Sequence, residues 1–413
     1  MFAKPWKCTL PLFILIMLIT ACALPAISPT TSPPTPLPTI SETQTFSPRA
    51  RCGDGVCNGP ENPRNCPADC AAQATTPVQA PTATVSAPSE GQAVLYLGIM
   101  VHLEGWPDGE NQARFNAHAT HVREYADLFE RYGARLTLES KEFTDGCLRW
   151  NDNVLKEMEQ RGHGIGVHAD IGGERNYDCS RFAADLRARK EQLESLGVTV
   201  RHVSGIVSHC DWVTAAADAG YLFTSGQVAY AVMSLPPEKR PPQFRNCLNP
   251  AACHQPFPTD LRDRIHPWRM NSGSDWLTHD PNGRLALLPS SGGLACMQEE
   301  ASSPQRSVTK CEFTQEDIDT FIRQLEEALS YAEPDQVNIY YVSWSLGSPL
   351  DIMLLERWLQ SIQPYVQSGQ VQWRTLPEMY DEYTRWEQGH YRPSEPRPAP
   401  IMGSAWAIGL DMR

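Results

Sequence analysis

Arg161-Gly162-His163-Gly164-Ile165-Gly166-Val167-His168-Ala169-Asp170 is the stretch on which the fold turns. Before it, Asn153–Gln160 is patterned as a helix, and Arg-Gly-His makes the turn. A short apolar alternation follows and ends on a histidine and an aspartate. That is helix, turn and strand, with ligand-type side chains at the strand's C-terminal end, where parallel α/β folds place their chemistry. His168 and Asp170 are two residues apart, so an extended strand points both to one face.

The same alternation extends in both directions. Strands are expected at Ala93–Val101, Ala134–Leu138, Gly164–His168, Thr199–Val203, Tyr221–Thr224, His266–Arg269, Arg284–Pro289, Val337–Val342 and Gln370–Arg374. Helices are expected at Asn111–Tyr132, Cys179–Leu196, Trp212–Ala219, Gln315–Ala332, Leu350–Val366 and Glu378–Glu387, with an irregular region over Leu235–Asp263. Thr314 and Asp317 form a capping box, and Ser348-Pro349-Leu350-Asp351 offers an N-cap with proline in the first turn. The pattern predicts an α/β fold, a distorted (β/α) barrel of about seven parallel strands over residues 93–389. No glycine-rich phosphate loop is present.

The stretch at 161–172 resembles the R-G-H-E-I-G-N-H-[ST]-x-x-H segment of polysaccharide deacetylases, the NodB-homology family. His168 matches the first of that segment's two metal-binding histidines, and Gly172 stands at the second. Arg201–Gly205 with Ala216-Ala217-Asp218-Ala219-Gly220-Tyr221, and Val371–Met379, resemble later strands and loops of the same family. Where the family's first strand ends in T-F-D-D, this chain has His102-Leu103-Glu104; where its last catalytic histidine lies, the chain has Ser343 in Tyr340–Ser345.

The resemblance implies metal-assisted hydrolysis of an acetyl group on a glycan. The implied roles are His102 and Glu104 as catalytic residues, and Glu104, His168, Asp170 and His209 as ligands of a divalent ion, zinc by donor type. Trp106, Trp268 and Trp344, with Arg269, offer surfaces for sugar. A carbohydrate-binding barrel without catalysis is a second reading. A metal-free glycosidase pairing Glu104 with Asp170 or Asp211 is a third.

Outside the barrel the chain reads as an exported protein. Residues 1–22 resemble a signal peptide: Lys4 and Lys7, the apolar run Leu10–Ile19, then Leu18-Ile19-Thr20-Ala21-Cys22, similar to a lipobox with Cys22 as the lipid attachment site. Residues 23–50 form a Pro/Thr/Ser stalk expected to be disordered, 51–70 a small disulfide-rich module with Cys52, Cys57, Cys66 and Cys70, 71–92 a linker, and 390–413 a tail. Thirteen cysteines suit an oxidising compartment. Seven lie in the barrel, so at least one should be free or paired outside the domain; Cys247–Cys253 and Cys296–Cys311 are plausible local pairs and Cys147–Cys179 a longer one, the sequence leaving the connectivity open. The net charge of −13 excludes a nucleic-acid partner and a polybasic membrane surface. The expected partners are carbohydrate and, through the lipid anchor, a membrane.

Overall fold

The computed structural model describes residues 91–390, apart from 175, 207, 227–228, 251–252, 255–259, 290–291, 303–310 and 348–349. The signal, Cys22, the stalk, the Cys-rich module and the C-terminal tail lie outside the described residues, as does nearly all of the linker. No helix among the described residues is long and apolar enough to cross a membrane.

Nine strands form one curled sheet: β1 (Leu95–Leu103), β2 (Thr137–Ser140), β3 (Gly164–Ile171), β4 (His202–Ile206), β5 (Phe223–Thr224), β6 (Trp268–Met270), β7 (Leu285–Leu287), β8 (Asn338–Ser345) and β9 (Val371–Trp373). The order is β6-β7-β5-β4-β3-β2-β1-β8. β8 flanks β1 along its length, while β9 pairs with the start of β1 and β2 with its end. All pairs are parallel except β6–β7, which is antiparallel. Ile339 N donates to Ile265 O at 2.7 Å, so the chain entering β6 meets β8 and draws the two margins together. The result is a parallel-rich half-barrel, a distorted version of the expected architecture.

The strands are apolar on both faces because helices cover them outside and side chains fill them inside. In β1 every residue but Tyr96 and His102 is buried. Outside lie α1 (Gln112–Arg131), α2 (Glu142–Trp150), α3 (Val154–Gln160), α4 (Phe182–Glu194), α5 (Trp212–Asp218), α6 (Met297–Ser302), α7 (Gln315–Tyr331), α8 (Ile352–Gln367) and α9 (Leu376–His390). An aromatic cluster fastens α1, α7 and α8: Trp358 packs on Phe129 and Phe321, with centroids 6.1 and 5.1 Å away.

Several local expectations change. The capping box on α7 forms, with Thr314 N donating to Asp317 Oδ2 at 2.8 Å. On α8 the cap is Asp351, which accepts from the amides of Met353 and Leu354 at 2.7 and 3.1 Å. The helix therefore starts at Ile352, after the expected Leu350. The α2 helix lies outside the expected helices; Gly146 sits inside it and its N-cap Lys141 makes no side-chain cap bond. That glycine is dictated by packing: a Cβ there would strike the Phe115 ring.

Disulfides join Cys179–Cys210, Cys247–Cys253 and Cys296–Cys311. Among the described residues Cys147 is the free thiol, buried within α2. The expected Cys147–Cys179 pair is thus corrected: Cys179 bonds to Cys210 across the mouths of β3 and β4.

Candidate active site

Adjacent strand ends bring the titratable groups together. Register pairs His102 with Glu139 and Glu139 with Gly166, and His168 with Ser204. His168 Nε2 lies 2.9 Å from Glu104 Oε2 and 3.1 Å from Asp170 Oδ1. His102 Nδ1 lies 3.5 Å from Glu104 Oε1, and the two imidazole centroids are 4.1 Å apart. Ser204 Oγ, 2.8 Å from His168 Nδ1, holds the far side of that ring. Gly205, at φ +64°, leaves the ring room: a Cβ there would sit 2.8 Å from His168 Cε1.

Asp170 arrives by an unexpected route. The β3–β4 register shifts between His168 and Ile171, and Asp170 has φ +47°, a left-handed conformation aspartate tolerates better than most residues. The bulge replaces simple alternation, yet the carboxylate still reaches His168. Its other oxygen takes the Lys141 ammonium at 2.9 Å.

Charge is nearly balanced inside this group. Burial opposes charge on His168, but bonds and charge from Asp170 and Glu104 win and push it up to about 10. Burial would raise Glu104 and Asp170; the facing imidazoles hold both carboxyls below their ordinary range. His102 is also raised: burial and the neighbouring His168 charge lower it, but Glu104 and Glu139 prevail. A raised imidazole stabilises the fold fully below its unfolded value of ~6.5, and that contribution drains away as pH climbs through the folded value. Metal-free protein should therefore melt at progressively lower temperature between ~6.5 and about 10. A melting temperature flat across that window, read by circular dichroism after chelation, would contradict the ion pairs.

The donor set suits a divalent ion. The ligand atoms of His102, Glu104 and His168 lie within 4.8 Å of one another. Donors bound to one tetrahedral ion at about 2 Å are roughly 3.3 Å apart, close to the separations above. His209 is placed elsewhere. Its Nε2 lies 3.7 and 3.9 Å from the sulfurs of Cys179 and Cys210, so it groups with the disulfide.

The residues expected to face sugar are placed as follows. Trp344 is buried, stacked on Phe129 and edge-on to Tyr125. Trp268 is buried with its indole N–H donating to Trp276 O at 2.8 Å. Arg269 is tied to Glu387 of α9, 2.7 Å away. Trp106 remains half-buried beyond Glu104, with the Arg114 guanidinium 4.8 Å over its ring. Asp211 caps α5, accepting from Thr214 N and from Gly273 N at 3.0 and 2.7 Å. His163 bridges β2 and α1: its Nδ1 accepts from Leu136 N at 2.9 Å and its Nε2 meets Glu130 at 3.0 Å.

Sequence reading missed Glu139 and His202. Both are fully buried, with Glu139 Oε1 3.0 Å from His202 Nε2 and 2.5 Å from Ser225 Oγ. Burial favours a neutral Glu139, but His102 and His202 together hold its carboxyl well below the usual range. One signal was present: an acid ends the apolar run Leu136-Thr137-Leu138, a position with no solvent to receive it.

No protein-family model and no curated sequence matches the chain. Similar solved structures include a Mycobacterium smegmatis protein described as a polysaccharide deacetylase, at 15% identity, covering 76% of this chain and 99% of that one with TM-score 0.48. PuuE allantoinase shares 14% identity over 73% of this chain and 93% of its own, TM-score 0.45. A CE4 family pseudoenzyme from Bacillus anthracis shares 10% over 70% and 66%, TM-score 0.35. At such identities the functional argument rests on the site's own residues.

Proposed function

We propose that the protein is an exported hydrolase that removes acetyl groups, as amide or ester, from a glycan with the help of a divalent ion. The observation that carries this reading is the convergence of Glu104, His168, His102 and Asp170 at the C-terminal ends of β1 and β3. These residues would hold the ion, zinc by donor type, which supplies Lewis-acid polarisation of an acyl carbonyl. Ser204 fixes the His168 ring from behind. His102 turns Nδ1 toward Glu104, so that this nitrogen would complete the donor set with Glu104 and His168. Tyr230, buried, is kept protonated by burial and by the negative charge of Asp170 and Glu104. Trp106, two residues beyond Glu104 in the chain, is the one half-buried tryptophan of the expected set.

The three disulfides among the described residues support export, and the lipobox resemblance supports anchoring at Cys22 on the outer side of a membrane. A metal-free glycosidase fits less well. Glu104 and Asp170 touch the same His168 nitrogen, so an imidazole bridges them instead of an open cleft for a glycosidic bond. The absence of histidine at Gly172 and Ser343 favours the second reading, a glycan-binding barrel without turnover.

Metal analysis of purified protein tests the proposal. Asp170→Ala is expected to lower zinc occupancy, whereas His209→Ala, at the disulfide, should leave it unchanged. Loss of zinc in His209→Ala with retention in Asp170→Ala would reverse the ligand assignment. Zinc binding without release of acetate from acetylated chitin or xylan oligosaccharides would leave the binding barrel as the better reading.

A further inference from the structure

Behind the mouth lies a second carboxylate that no motif announces. Glu139 is wholly enclosed on β2. His102 approaches it from β1 with Nε2 at 3.4 Å from Oε2. His202 approaches from β4, with Nε2 at 3.0 Å from Oε1. Ser225 Oγ donates to Oε1 at 2.5 Å. Gly166 of β3 lies between β2 and β4 in register with Glu139, and a Cβ there would collide with the His202 ring. The missing side chain is therefore what lets His202 reach across β3. Phe223 stacks on the other face of His202, centroids 4.7 Å apart.

His102 thus has a carboxylate on each side: Glu104 toward the open site and Glu139 toward the interior. His102 Nε2, Glu139 Oε2 and both nitrogens of His202 are enclosed, and none has a well-formed hydrogen bond to any other protein atom. An N–H on His102 Nε2 therefore has one acceptor within reach, Glu139. With the proton on Nδ1 instead, the Nε2 lone pair would face a carboxylate with no exposed surface, whereas the Nδ1 lone pair of the other tautomer faces Glu104, whose side chain is 22% exposed and open to water or a cation; the first arrangement is the costlier one.

From this geometry the structure assigns Glu139 a positioning role: it fixes His102 as the Nε2–H tautomer and so presents Nδ1 to Glu104 and the reacting centre. His202 and Ser225 hold Glu139 in place for that task. The inference rests on the reading of His102 as a site residue, but it concerns the ring itself and not turnover. A carboxylate behind a ligating or basic histidine sets its tautomer and basicity, and removing such a partner typically costs about 10–100-fold in metal affinity or activity.

The test is nitrogen NMR on metal-free protein labelled with 15N-histidine, at alkaline pH where the ring is neutral, with His102 assigned by its loss in His102→Gln. The wild type should show a protonated Nε2 and an unprotonated Nδ1 for His102. Glu139→Met, which keeps length but removes the acceptor, should give a mixed tautomer and zinc affinity lower by about 10–100-fold in calorimetry. Glu139→Gln, retaining an acceptor, should partly rescue both. A wild-type His102 carrying its proton on Nδ1 would overturn the proposal, and so would an unchanged tautomer in Glu139→Met. If the methionine variant does not fold, the wild-type spectrum still decides. Because that spectrum needs neither metal nor substrate, failure of zinc binding or hydrolysis would count against the proposed function and leave this assignment standing.

Discussion

His168→Ala is expected to abolish stoichiometric zinc binding and, with it, turnover. Among the described residues His168 is the side chain that touches both Glu104 and Asp170, at 2.9 and 3.1 Å. It also has its ring fixed by Ser204 behind and by the space Gly205 leaves beside it. Removing a partner of a ligating histidine costs about 10–100-fold, so removing the ligand itself should cost at least ~100-fold in affinity. Two carboxylates would then face each other with only Lys141 and His102 for compensation. Like charges so placed raise one pKa, so one carboxylate takes up a proton that competes with a cation. The measurement is zinc content after dialysis, with circular dichroism to show that the variant is folded. A folded His168→Ala that keeps one zinc per chain would remove His168 from the site and the metal reading with it. Ser204→Ala should show a smaller loss, since it frees the ring without deleting the donor.

The scaffold was legible because its signals are local. The β3 stretch ends on His168 within a run of buried residues, and the capping chemistry of α7 is read from Thr314 and Asp317 three residues apart. The site was legible only where its residues follow strand periodicity, as His102 and Glu104 do. Glu139 and His202 escaped because their significance is relational. Glu139 counts as an anchor only when His202 reaches over Gly166, two strands away, and no one-dimensional pattern records that crossing. Trp268 and Trp344 were read as sugar platforms from residue type alone; their position against Trp276, and against Phe129 and Tyr125, makes them core. The reversed direction of β6 also depends on a long irregular connection that carries no periodic signal.

Cys247–Cys253 and Cys296–Cys311 formed as expected, but the third pairing failed for a similar reason, and it leads to the second large effect. Spacing along the chain suggested Cys147–Cys179, but α2 carries Cys147 into the core, beyond reach of solvent. The Cys179–Cys210 bond closes a loop with sequence separation 31, against 15 for Cys296–Cys311 and 6 for Cys247–Cys253. The entropy it removes from the unfolded chain corresponds to about 3–4 kcal/mol, against about 3 and about 2 for the shorter loops. It also ties the segment that follows Asp170 to the loop between β4 and α5, so its loss should loosen Asp170 and lower zinc occupancy as well. Paired serine substitutions at 179 and 210 avoid leaving a reactive thiol. Urea unfolding of that variant should show the largest loss of stability, Cys296→Ser with Cys311→Ser an intermediate one, and Cys247→Ser with Cys253→Ser the smallest. An inverted order would show that native-state packing around each bridge outweighs loop closure. An unchanged zinc content in the 179/210 variant would show that Asp170 is held by its backbone bulge and by Lys141, and not by the covalent tie across the two strand mouths.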